Sequence, residues 1–152
     1  MAFSIGEECT GCTACVRSCP VFAIAGERGK HHEINPLRCV ECGVCGRVCP
    51  GGAISDGGGK TCSPVKRSPW SRPRVDEKLC SACGICVYDC VFRALSISLP
   101  RERGDIRVYA ELSGPDKCVG CGICEKHCPL GVIVMIPPQS SAAETQVKEF
   151  SR

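Results

Sequence analysis

Sixteen of the 17 cysteines fall into four copies of one spacing, C-x2-C-x2-C-x3-C. The copies are Cys9, Cys12, Cys15 and Cys19; Cys39, Cys42, Cys45 and Cys49; Cys80, Cys83, Cys86 and Cys90; and Cys118, Cys121, Cys124 and Cys128. Three thiolates spaced by three can wrap one small inorganic object from a single loop, while the fourth, at i+4, points away from it. A cubane iron–sulfur cluster needs one thiolate at each of its four iron corners, which is the chemistry this set suits. Gly43, Gly84 and Gly122 each follow a second cysteine and let the backbone curl close to the inorganic core. Val44, Ile85 and Ile123 come next and would exclude water. Pro20, Pro50 and Pro129 end three of the runs; Val91 takes that place in the other, which questions the local geometry but not ligation by Cys90.

Other readings of so many thiols fare worse. A secreted disulfide scaffold is expected to follow a leader, whereas Met1 to Glu8 has neither a basic start nor an apolar run. A reducing cytoplasm is therefore the expected setting. Zinc knuckles use separated Cys pairs or Cys and His pairs, and no paired His motif accompanies these runs; a zinc-binding structural module is the remote alternative. The longest apolar stretch, Leu130 to Ile136, falls far short of the roughly 20 residues of a membrane span. With aromatics at 5% and Trp70 the sole tryptophan, an apolar core would be thin and must be supplemented by metal.

Between the cysteine runs the pattern reads as short strands over 31–35 and 107–112, and again over Ala23-Ile24, Ala53-Ile54, 94–98 and 132–136. The segment 100–105 reads as an exposed hairpin tip. The stretch between the second and third runs is rich in Gly, Pro and basic residues, which is linker chemistry. The expected fold class is α+β: two tandem modules, each with short hairpins and short helices around its clusters. The boundaries are 1–56 for the first module, 57–73 for the linker, 74–137 for the second module and 138–152 for a polar tail, disordered or ordered by a partner. A nested pairing, first run with fourth and second with third, is the competing arrangement.

The runs resemble those of the bacterial-type 2[4Fe–4S] ferredoxins, here duplicated as a polyferredoxin, and the resemblance extends from Cys9 to Ile136. It implies four [4Fe–4S] clusters with exchanged fourth ligands. The first would take Cys9, Cys12, Cys15 and Cys49; the second Cys39, Cys42, Cys45 and Cys19. The third would take Cys80, Cys83, Cys86 and Cys128; the fourth Cys118, Cys121, Cys124 and Cys90. No triad, acid–base pair or phosphate-binding loop appears, and full ligation leaves no open iron. The expectation is a non-catalytic electron-transfer subunit.

In size and plan the chain is similar to the small iron–sulfur subunits of tungsten-dependent aldehyde oxidoreductase-type complexes of anaerobes. That likeness implies relay between a large catalytic subunit and a flavin subunit or ferredoxin. Relay subunits of hydrogenase, formate dehydrogenase or heterodisulfide-reductase-type assemblies, and a freely diffusing ferredoxin, are the alternatives. Self-association into a longer wire is a further expectation.

Sixteen thiolates and four oxidised cores of roughly +2 each would take the formal charge of +3 to about −5, so the basic balance does not imply a nucleic-acid partner. Trp70, with Lys60, Lys66, Arg67, Arg72 and Arg74 around it, reads as a docking anchor for an acidic partner. Cys62 reads as a free thiol, His31 and His32 as strand-edge surface, and His127 as an exposed neighbour of Cys128.

Overall fold

A computed structural model describes residues 2–137; the expected tail from Gln139 to Arg152 lies outside the described residues. In the first half, β1 (Ser4–Ile5), α1 (Ala14–Ser18), β2 (Ile24–Ala25), β3 (Glu33–Ile34), α2 (Val44–Val48) and β4 (Ile54–Ser55) follow in order. The second half repeats the plan with β5 (Arg72–Val75), α3 (Ile85–Tyr88), β6 (Leu95–Ile97), β7 (Ala110–Leu112), α4 (Ile123–Lys126) and β8 (Ile133–Ile136). Four antiparallel two-stranded ribbons result: β1 with β4, β2 with β3, β5 with β8 and β6 with β7. Ile5 stands opposite Ile54 and Val75 opposite Ile133, so in each half the first and last strands close around the rest.

The helices have four or five residues, too few to stand alone in water. Each begins after a residue in the left-handed region: Thr13 at φ 65°, Gly43 at 69°, Gly84 at 79° and Gly122 at 74°. That residue reverses the chain so that the third cysteine rides on the helix's first turn. Three of the four are glycine, which adopts this conformation without a Cβ penalty; Thr13 does not have that freedom.

Two cores are built around cysteines. One is built from Cys15, Cys19, Cys45 and Cys49 with Ala23, Ile24, Ala53 and Ile54; the other gathers Cys86, Leu95, Ala110, Val132 and Ile133. A third core, Val44, Trp70 and Val119, joins the halves.

Several elements differ from the sequence reading. The strands at 31–35 and 107–112 shrink to Glu33–Ile34 and Ala110–Leu112, and β1 and β5 were not signalled. β1 is too short to show a period. β5 carries Pro73 among arginines, tolerable because a two-stranded ribbon leaves one edge unpaired. The segment after β4 folds back on the first half: Asp56 closes a tight turn by accepting from Gly58 and Lys60, Cys62 N donates to Ile54 O, and Val65 N donates to Arg47 O. The ring of Trp70 is 2% exposed and therefore occupied inside the chain, not offered to an acidic partner. His32, expected at the surface, is fully buried. The tip at 100–105 is exposed save for Asp105, as its charge and proline suggest.

Candidate metal centres

Four small cavities open beside the helices, each with at least four cysteines of the repeat on its wall. Cys9, Cys12, Cys15 and Cys49 line one. Cys19, Cys39, Cys42 and Cys45 line the second. Cys80, Cys83, Cys86 and Cys128 line the third. Cys90, Cys118, Cys121 and Cys124 line the fourth, which Cys86 also reaches. In every case three cysteines come from one run and the fourth from the other run of the same half. The remaining walls are mostly apolar: Val40, Val44 and Ile34 around the second cavity, Leu95, Val119 and Ile123 around the fourth.

Repeated local geometry aims the fourth cysteine. After Cys19, Cys49, Cys90 and Cys128 the chain turns at once, with Phe22 N, Gly52 N, Arg93 N and Gly131 N each donating back to that cysteine's carbonyl. The residue three beyond each of these cysteines is again left-handed, at φ 51°, 63°, 50° and 63° in that order. Val91, in the place of proline, uses its N–H to donate to Asp89 O, so nothing is left unpaired by the departure.

The sulfurs are crowded and dry. Burial pushes Cys45 and Cys124 up to about 12; the neighbouring Cys42 and Cys121, respectively, add charge repulsion. Burial also raises Cys15, Cys42, Cys86 and Cys121. As free thiols these groups would resist ionisation, and only a strongly cationic occupant makes thiolate the favoured state. Backbone amides of residues that line the same cavities already reach sulfur: Ala23 N donates to Cys19 Sγ at 3.3 Å, Ala94 N to Cys90 Sγ at 3.3 Å and Ala110 N to Cys80 Sγ at 3.4 Å.

The donor set tests which occupant fits. Four sulfurs and no nitrogen or oxygen ligand in common among the four cavities favour a soft, thiophilic group. Among the described residues no three side chains converge tightly enough to hold a single ion. Four thiols spread around each cavity suit a multi-iron cluster better than one zinc, whose sulfurs would sit about 2.3 Å from it.

The sets adjoin one another. Cys15 is among the charges that raise Cys45, Cys86 among those that raise Cys124, and Cys42 among those that raise Cys121, burial being the largest cause in each. Cys42 and Cys121 also pack against the same core of Val44, Trp70 and Val119. Of the sixteen cysteines only Cys12 and Cys83 are exposed. Cys62 lines none of the cavities; it is partly buried against Gly46, and burial raises its pKa. His127 Nδ1 lies 2.7 Å from Asp89 Oδ2, tying the end of α4 to the end of α3.

The repeat signalled every cysteine, but not His32. Its ring is buried with Nδ1 3.8 Å from Cys9 Sγ, and nothing in the spacing of His31 and His32 separates the buried one from the exposed one.

Comparison with known proteins follows the same division. A family model described as a 4Fe-4S dicluster domain matches residues 8–53, and a second 4Fe-4S dicluster domain model matches residues 79–133. An uncharacterized ferredoxin of Methanocaldococcus jannaschii is 42% identical over 65 residues, covering 41% of this chain and 92% of that protein. A methylamine utilization ferredoxin-type protein of Methylobacillus flagellatus is 47% identical over 51 residues, covering 32% of this chain. The match spans 21% of that relative's length. A solved chain in the formate dehydrogenase–heterodisulfide reductase–formylmethanofuran dehydrogenase complex from Methanospirillum hungatei aligns over 95% of this chain and 54% of its own, with TM-score 0.44 and 20% identity.

Proposed function

The chain belongs to the 4Fe-4S dicluster ferredoxins, and from that premise we propose that it serves as the relay subunit of a larger oxidoreductase assembly. Its two dicluster domains imply four [4Fe–4S] clusters, each supplying reversible one-electron storage when bound. The protein is thus an iron–sulfur electron carrier of ferredoxin type.

We assign the ligands by cavity. Cys9, Cys12, Cys15 and Cys49 form the first set; Cys39, Cys42, Cys45 and Cys19 the second. Cys80, Cys83, Cys86 and Cys128 form the third; Cys118, Cys121, Cys124 and Cys90 the fourth. The module bounds 1–56 and 74–137 belong to this proposal, with one adjustment: β5 begins at Arg72 and pairs with β8, so the second module takes in the last two residues of the linker.

The observation that carries the relay reading is the unbroken neighbourhood of the sets. They stand in the order first, second, fourth, third, and the exposed Cys12 and Cys83 belong to the two terminal sets. Val44, Trp70 and Val119 keep water from the middle, while the ends stay open to partners. One partner we propose is a large catalytic subunit, of tungsten-dependent aldehyde oxidoreductase type by likeness of plan; the other is a flavin subunit or a ferredoxin. The chain itself supplies ligation, insulation and docking, and no catalysis. Among the described residues no helix is long and apolar enough to cross a membrane, and a reducing cytoplasm suits sixteen thiolate ligands.

Anaerobic purification from the native cell tests the reading. About sixteen irons per chain and a stoichiometric large oxidoreductase subunit are expected. A monomer that reduces several unrelated acceptors would replace the relay with a diffusing carrier, and a colourless zinc protein would remove both.

A further inference from the structure

Arg47 lies in α2, two residues beyond Cys45, yet its side chain reaches into the other half. Its Nη2 donates to Gly120 O at 3.0 Å and Val119 O at 3.3 Å, within the loop between Cys118 and Cys121. The same nitrogen donates to Cys42 O at 3.4 Å, in the loop of the second set. The guanidinium also lies over the ring of Trp70, 5.0 Å from its centroid, with Arg67 over the same ring at 5.5 Å. Gly120 lets the loop adopt this conformation against the chain beside Trp70: its φ is 63°, and a Cβ there would stand 2.7 Å from Ser71 O. One planar cation is therefore shared between two cysteine loops that lie far apart in the chain, in a setting where Val44, Trp70 and Val119 exclude water. Low local dielectric strengthens its effect on charge nearby.

We propose that Arg47 is the positioning and charge-balancing residue of the junction, holding the loops of the second and fourth sets face to face and favouring reduction of the groups held by both. The inference rests on the ligand sets proposed above. A reduced cluster carries one more negative charge than an oxidised one, and a fixed cation beside two such sites stabilises that state at each. Arg67 cannot substitute. Its contact in the second half is Asp116 O, outside both cysteine loops.

The test is an anaerobic potentiometric titration of the full-length, iron-loaded protein, followed by electron paramagnetic resonance, for the wild type, Arg47→Gln, Arg47→Lys and Arg67→Gln. Iron and sulfide are counted in each preparation. In Arg47→Gln two of the four one-electron reductions should become harder, by up to about tenfold in their equilibria, or ~59 mV. Arg47→Lys should restore most of that shift and Arg67→Gln should leave all four in place. A shift confined to one reduction, or equal shifts in Arg47→Gln and Arg47→Lys, overturns the proposal. Should Arg47→Gln fail to load, a crystal structure of the wild-type loaded protein decides: the guanidinium on the Val119 and Gly120 carbonyls supports the proposal, and the guanidinium in solvent rejects it. Far fewer than sixteen irons in the wild type would instead defeat the ligand sets on which it rests.

Discussion

The imidazole of His32 is fully buried with Nδ1 3.8 Å from the sulfur of Cys9, while its Nε2 has no hydrogen-bond partner among the described residues. Among the described residues the ring's hydrogen-bond contact is the sulfur of Cys9, so the tautomer with its proton on Nδ1 aims that N–H at a ligand position. Gly26 makes room for the ring, since a Cβ there would stand 2.6 Å from two of its carbons. An N–H aimed at a ligating sulfur favours the more negative, reduced state. Replacing His32 with leucine should make one of four reductions harder by a few-fold, roughly the 0.5–1 kcal/mol end of a single hydrogen bond. Redox titration checks this. If all four potentials stay in place, the ring is only packing.

Thr13 sits where the three other runs place glycine. At φ 65° its β-branched side chain bears the steric cost of the left-handed region, about 1–2 kcal/mol. Glycine returns part of that gain through the freedom of its unfolded chain, roughly 0.5–1 kcal/mol. Thr13→Gly should stabilise the loaded protein by about 0.5–1 kcal/mol, seen as slower bleaching of its visible absorbance on heating. Faster bleaching would mean that the threonine hydroxyl or methyl contributes contacts that outweigh the backbone.

Trp70 is the largest side chain of the junction and is held by Nε1 donating to Val65 O at 3.1 Å. Truncating a buried tryptophan costs about 3–5 kcal/mol, and two cations over its ring add to the loss. Because Trp70 belongs to neither half's sulfur core, Trp70→Ala should leave the iron content near that of the wild type while loosening the halves. Limited proteolysis should then cut faster than in the wild type within 63–69, an exposed stretch tied to the first half through Val65 N on Arg47 O. Loss of iron in step with cleavage would show that the halves do not fold independently of the junction.

The spacing of the cysteines made the sites legible because ligand geometry is local: three of each set lie within seven residues. The fourth ligand became legible through family resemblance, since nothing in a run says which cavity its i+4 sulfur will face. What the pattern concealed was long-range. Trp70 and Arg47 are separated by a Gly- and Pro-rich stretch that has the composition of a free linker, yet Cys62 N and Val65 N tie it back through backbone hydrogen bonds that depend on no particular side chain. His31 and His32 carry the same side chain, and burial falls on His32, whose ring packs against Gly26. The two-residue strands carry too few positions for a period to show.

Because half of the first core's buried residues are cysteines, the fold depends on what those sulfurs bind. Removing iron with a chelator under reducing conditions leaves crowded thiols that burial keeps protonated, around cavities with no apolar filling. Binding free energy of this kind is folding free energy. Loss of far-ultraviolet ellipticity and of resistance to protease should track iron removal in a single transition. A chelated protein that keeps both would place the stability in the ribbons and the Trp70 core instead.

The exchange of fourth ligands can be tested by non-additivity. Cys19 shares a cavity with Cys39, Cys42 and Cys45, not with the Cys9, Cys12 and Cys15 of its own run. Cys19→Ala and Cys42→Ala should then each deplete the same site, leaving about twelve of sixteen irons. The double variant should retain about twelve as well, since sites that act as one unit do not add. Cys19→Ala combined with Cys12→Ala should fall to about eight. If each run kept its own fourth cysteine, the two double variants would exchange results, with Cys19 and Cys42 losing two sites and Cys19 and Cys12 only one. Iron and sulfide analysis of these four proteins, prepared without oxygen, separates the arrangements without reference to any partner or activity.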